Sequence, residues 1–139
     1  MTRRGSTLIE TVVALALTAT LVATSTMLLS SLAATFQLAA SVRTLTQTMR
    51  ATRARAMAEG VALDVAFDAS TGIWSIRTSN GTMRRTQALP APVRFLTLPA
   101  RARIRFESTG TADNGTIVLG AGAATRRIIV NQRGRVRLG

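Results

Sequence analysis

Between Thr11 and Val42 the sequence carries no charged residue, and its first part, 11–36, is mostly Val, Ala, Leu, Thr and Ser. A run of that length has to be covered by something other than water. With 139 residues the chain has room for one small domain plus one long extra element, and a core of that size cannot bury the run. About 20 predominantly apolar residues cross a bilayer as a helix, so the run is long enough to span, although its many Ala and Thr make it only moderately apolar. A cleaved secretory signal has an apolar region of about 7–15 residues with a small-residue cleavage site after it, and the run is too long for that. An ordinary anchor helix fits the length but gives Glu10, set at the start of the apolar stretch, nothing to do.

An ionisable residue inside a membrane segment costs roughly 2.5–3.5 kcal/mol and calls for a partner. A cut between Gly5 and Ser6 supplies one. Arg3 and Arg4 would hold the N-terminus in the cytoplasm. Gly5, without a side chain, lets a peptidase approach the bond. Cleavage leaves an α-amine on Ser6, about one helical turn from Glu10. In a stack of parallel helices, the amine of a neighbouring subunit would pair with Glu10 and set the register of assembly.

The stretch Gly5-Ser6-Thr7-Leu8-Ile9-Glu10 resembles the N-terminal motif of type IV pilins and of the pseudopilins of type II secretion systems. That resemblance implies a leader peptidase cut after Gly5, N-methylation of the new terminus and assembly into a helical filament through the apolar helix. The chain departs from the family pattern at Ser6, where Phe is usual, and this bears on methylation more than on cleavage.

Beyond the apolar run, Leu38, Val42, Leu45 and Met49 recur at spacings of four, three and four, the stripe of an amphipathic helix. Arg43, Arg50, Arg53 and Arg55 fall off that stripe and read as a solvated face. Ala51, Ala54, Ala56 and Ala58 favour helix, and Gly60 is the natural stop. The pattern predicts one helix from Thr7 to Glu59, about 80 Å long if unbroken.

From Val61 the period changes to two. Val61, Leu63, Val65 and Phe67 alternate with smaller or polar residues, Asp68–Gly72 is turn chemistry, and Ile73–Arg77 reads as the returning strand. A short strand follows near Thr82–Thr86, and Pro90, Pro92 and Pro99 break up the stretch around Val93-Arg94-Phe95. Further strands are expected at Ala102–Phe106, Thr116–Leu119, Arg127–Asn131 and Arg135–Leu138, with loops at Gly110–Gly115 and Gly120–Thr125. The expectation is an α+β, pilin-like fold: a long N-terminal helix packed on a small antiparallel β-sheet domain of about seven strands in two sheets. Its divisions are a leader over 1–5, a helix over 6–59 with a transmembrane part at about 11–36, and a β-rich domain over 60–139.

No catalytic constellation is visible. The chain has no Cys and no His, and its only carboxylates are Glu10, Glu59, Asp64, Asp68, Glu107 and Asp113. Ser and Thr therefore lack an activating base, no metal-ligand set is spaced for binding, and no cofactor is implied. Gly110, Gly115, Gly120 and Gly122 have the wrong spacing for a phosphate-cradling loop and read as turn glycines. The chain is read as a protein that is not an enzyme.

Its charge points elsewhere. All 18 basic residues are Arg, and the formal net charge is +12. Residues 60–139 hold twelve Arg against four acids, and the last fourteen residues hold five Arg and no acid. Arg101, Arg103 and Arg105 alternate with apolar residues on one strand, and Arg135 and Arg137 do so on another, with Val136 and Leu138 expected to face the core. Guanidinium forks bind phosphate bidentately, and phosphate contacts supply most non-specific DNA affinity. An alternating Arg edge is equally the solvated, aggregation-resistant face of a sheet, and both readings stand at this point.

The order of helix, hairpin, IRFESTGTADNGTIVL, strand and then Gly134-Arg135-Val136-Arg137 is similar to the GspH/FimT branch of pseudopilins and minor pilins. In the FimT-like members, the resemblance implies, the Gly-Arg-x-Arg tail binds DNA during uptake. Here that tail is Gly134, Arg135 and Arg137, with Arg133 beside it. The few aromatics favour backbone contact with a duplex over stacking on a single strand. The partners so implied are other pilins or pseudopilins in a filament, a prepilin peptidase/methyltransferase, the inner membrane and DNA. The implied location is a single-pass inner-membrane protein with a cytoplasmic N-terminus and a periplasmic domain, later drawn into a filament.

Overall fold

The computed structural model describes residues 7–139, the side chains of 24–28 excepted. The leader expected over 1–5, with Gly5 and Ser6, lies outside the described residues. One helix, α1 (Leu8–Glu59), follows the predicted bounds within a residue. Its first turn is closed by Thr7, whose carbonyl accepts the N–H groups of Glu10 (2.9 Å) and Thr11 (3.2 Å). Thr7 Oγ1 also lies 3.4 Å from the Glu10 N–H. Thr-x-x-Glu is the spacing of a capping box, so Glu10 also suits the start of its own helix. Gly60 ends the helix at φ +69°, the left-handed position that glycine takes without strain.

The chain divides into two units, the first ending at Ala33 and the second running from Ala34 to Gly139. In the first, Leu8, Ile9, Val12, Val13, Leu15, Leu17, Leu21 and Val22 are all exposed. The hydroxyls of Thr11, Thr18 and Thr20 donate to carbonyls three or four residues back, at 2.8–3.2 Å. A hydroxyl satisfied within its own helix needs no polar partner outside it. Among the described residues no helix is long and apolar enough to cross a membrane. The span expected over 11–36 is diluted by Thr and Ser, and it includes 24–28, whose side chains are not described.

In the second unit the predicted stripe is buried: Leu38, Val42, Leu45 and Met49, continued by Ala56. Eight strands follow where about seven were expected. They are β1 (Leu63–Asp68), β2 (Ile73–Thr78), β3 (Met83–Ala88), β4 (Arg94–Thr97), β5 (Arg103–Phe106), β6 (Gly115–Ala121), β7 (Ala124–Val130) and β8 (Val136–Leu138). The additional strand is β4. Prolines flank it on both sides, which hides a four-residue strand at a sheet edge from a periodicity argument. The strands form two antiparallel four-stranded sheets, ordered β3-β2-β1-β5 and β4-β6-β7-β8. The expected loop at 120–125 is shorter than the sequence suggests. Ala121 pairs with Ala124, leaving Gly122-Ala123 as a two-residue turn.

Both sheets turn alternate residues inward. Leu63, Val65 and Phe67 face the core beside Trp74 and Ile76, while Ile104 and Phe106 extend that layer across β5. Ile117, Leu119, Ile128, Val130 and Val136 do the same for the second sheet. With the helical stripe they make one apolar cluster, each large side chain contributing about 1.5–3 kcal/mol by leaving water.

Candidate functional site

The C-terminal turn is closed by its own hydrogen bonds. Asn131 N–H donates to the Arg135 carbonyl (3.2 Å), and Gly134 N–H donates to the Asn131 carbonyl (2.9 Å). The Asn131 side-chain oxygen accepts the Arg135 N–H at 2.9 Å. Two arginines of α1 then clamp this turn. Arg53 donates from Nε to the Gly110 carbonyl (2.8 Å) and from Nη2 to the Arg133 carbonyl (3.1 Å). Arg50 donates from Nη2 to the Val136 carbonyl at 3.0 Å. These two therefore do not belong to a merely solvated face, as their spacing suggested. They reach across to the end of the chain, Arg53 half-buried and Arg50 still exposed like Arg43 and Arg55.

Gly134 is buried at φ +70°. A Cβ there would collide with the Gly110 carbonyl oxygen and with the Arg53 guanidinium. The glycine of the Gly-Arg-x-Arg tail is thus the place where the helix arginine, the 107–110 turn and the tail come together. Arg53 and Gly110 escaped the sequence reading because they lie far apart in the chain. The glycine itself is the one sequence signal compatible with a close approach, since it has no Cβ to collide.

Arg133, Arg135 and Arg137 are exposed, with Val136 buried between the last two. Leu138 departs from the expectation. In register with Ile128, it is nonetheless 61% exposed, on the edge strand of its sheet. Arg135 and Arg137 line two clefts. One, of about 420 Å³, is shared with Arg50, Arg53, Gly134 and Val136. The other, of about 520 Å³, is shared with Asn114, Asn131, Gln132 and Arg133. Neither lining includes an acid.

The other arginine strand is different. Arg103 and Arg105 do share a face, but both turn onto Asp64 of β1, at 3.1 Å and 2.8 Å. The Asp64 carboxylate, bonded to Arg105, holds that guanidinium more firmly protonated than usual. Arg101 does not join them: it sits in a short 3₁₀ turn (Ala100–Ala102) with φ 68°, which breaks the strand period before β5 begins. Among the described arginines, Arg84, Arg103 and Arg105 have a carboxylate partner, and the tail arginines Arg133, Arg135 and Arg137 are among those that have none. Glu10 is exposed in the first turn of α1, and among the described residues no basic group is within ion-pair reach of it.

A long helix whose second half buries an apolar stripe, set on two small antiparallel sheets, defines a pilin-like fold. The family model described as type II transport protein GspH matches residues 41–134, well over half of the sequence, and the chain belongs to that family. Its members are structural subunits rather than enzymes. Among solved structures, the minor pseudopilin EpsH from the type 2 secretion system of Vibrio cholerae is similar, with a TM-score of 0.62 at 15% identity over 74% of this chain and 96% of that one. The type IV minor pilin FimU of Pseudomonas aeruginosa is similar to the same degree, with a TM-score of 0.61 at 18% identity over 73% of this chain and 87% of that one. At such identities the likeness is one of fold. No curated protein matches the chain.

Proposed function

We propose that the chain is a minor subunit of a type II secretion pseudopilus or a type IV pilus. In this reading a peptidase removes residues 1–5, the helix sits in the inner membrane until assembly, and the β-rich domain faces the periplasm. The observation that carries it is the exposed apolar surface of α1 before Ala34, headed by the single carboxylate Glu10. Other pilin-type helices would cover that surface, and the Ser6 amine of a neighbour would meet Glu10. The test uses the fact that a capping box accepts Gln as well as Glu, whereas an ion pair does not. In cells with such a machine, the chain is expected in the sheared-filament fraction. The Glu10→Gln variant is expected to accumulate normally and be missing from that fraction. Normal incorporation of Glu10→Gln would reduce Glu10 to a helix cap.

A second reading, DNA binding by the tail in the manner of FimT-like minor pilins, is favoured by one observation: Arg135 and Arg137 line two clefts that hold no acid. Removing one Arg–phosphate pair lowers the slope of log K against log salt by about 0.9. Arg135→Ala plus Arg137→Ala, in the full chain in detergent, is therefore expected to weaken duplex binding and flatten the slope by about 2. An unchanged slope would remove these two residues from any role at the DNA backbone.

A further inference from the structure

The larger of the two clefts holds more than a phosphate site requires. Arginines alone attract any polyanion, yet this cleft is also lined by three amides, Asn114, Asn131 and Gln132. The Asn131 amide is already oriented. Its oxygen accepts the Arg135 N–H, and the amide nitrogen beside it carries two N–H donors. The turn beneath is fixed by the Gly134–Asn131 and Ala112–Gln132 backbone bonds, at 2.9 and 3.0 Å, so the donors need little ordering on binding. Asn114 enters from the segment between Ala112, bridged to Phe106, and β6. The one acid beside it in sequence, Asp113, exerts its charge on Arg105.

We propose that this cleft receives the sugar or base edge of a nucleotide whose phosphate is held by Arg135 and Arg137. The amides donate to the acceptor atoms that line both grooves of a duplex. The site then distinguishes nucleic acid from other polyanions, a property that a bare arginine patch lacks. The proposal rests on the DNA reading of the tail.

The test uses the full chain in detergent, a short labelled DNA duplex, and long-chain inorganic polyphosphate as the polyanion without sugar or base. Asn114→Ala plus Gln132→Ala changes two exposed side chains and leaves the Asn131 cap intact. The loss of two hydrogen bonds is expected to weaken duplex binding at least about fivefold. The salt slope is expected to stay unchanged, since no phosphate partner is removed, and so is polyphosphate affinity. Unchanged duplex affinity, or an equal loss for polyphosphate, overturns the proposal. Failure of the underlying DNA reading looks different: there Arg135→Ala plus Arg137→Ala leaves the duplex affinity and its slope where they were.

Discussion

Six carboxylates face eighteen arginines, and where each carboxylate goes decides which arginines remain uncompensated. Asp64 engages Arg103 and Arg105, and Glu59 engages Arg84. Glu107 stands 4.0 Å from Arg105. Asp68 turns back on its own turn, its Oδ1 accepting from Ser70 Oγ (2.6 Å) and from the Ser70 and Thr71 N–H groups (2.9 and 3.4 Å). Those bonds, the Ser70 hydroxyl foremost, lower its pKa from 3.8 to about 2. A depressed carboxylate stabilises the fold above its unfolded pKa and loses that contribution as pH falls through the folded one, here between about 4 and about 2. Ser70→Ala is expected to move the Asp68 titration, followed by carboxyl NMR, back toward 3.8. An unmoved titration would show that the hydroxyl is not the main cause. The Asx turn is legible in the sequence as DASTG. The capture of Arg103 and Arg105 by Asp64 is not, because it depends on β1 pairing with β5 some forty positions on.

At the level of elements, what sequence reads well is what repeats locally. The stripe of Leu38, Val42, Leu45 and Met49 follows the helical period, and the hairpin around Asp68–Gly72 follows turn chemistry, so both survive into the fold. What it reads poorly is set by neighbours. β4 is held in place by pairing with β6, and Arg50 and Arg53 are drawn from the solvated side of α1 by carbonyls at the far end of the chain. Gly134 sits at that junction. Gly134→Ala must carry the left-handed penalty of about 1–2 kcal/mol and also displace Arg53 from Gly110. The loss of stability is expected to exceed about 2 kcal/mol by denaturant titration, with the tail residues after 133 losing amide-exchange protection first. A loss of only a few tenths would mean that the junction does not hold the tail.

At the scale of the whole molecule, the two units pose opposite solvation problems. The first exposes apolar side chains along its described length, and the hydroxyls of Thr11, Thr18 and Thr20 are satisfied within the helix. The second has its own core and carries most of the +12 charge. In the proposed filament, other helices would cover the apolar side chains of the first unit. The proposed assembly would hinge on an amine created next to Glu10, and the direct measurement is the N-terminal mass of the mature chain purified from cells that carry a prepilin peptidase. The expected terminus is Ser6, with or without a methyl group. A chain that still begins at Met1, or at any residue other than Ser6, would contradict assembly through the Glu10 pair.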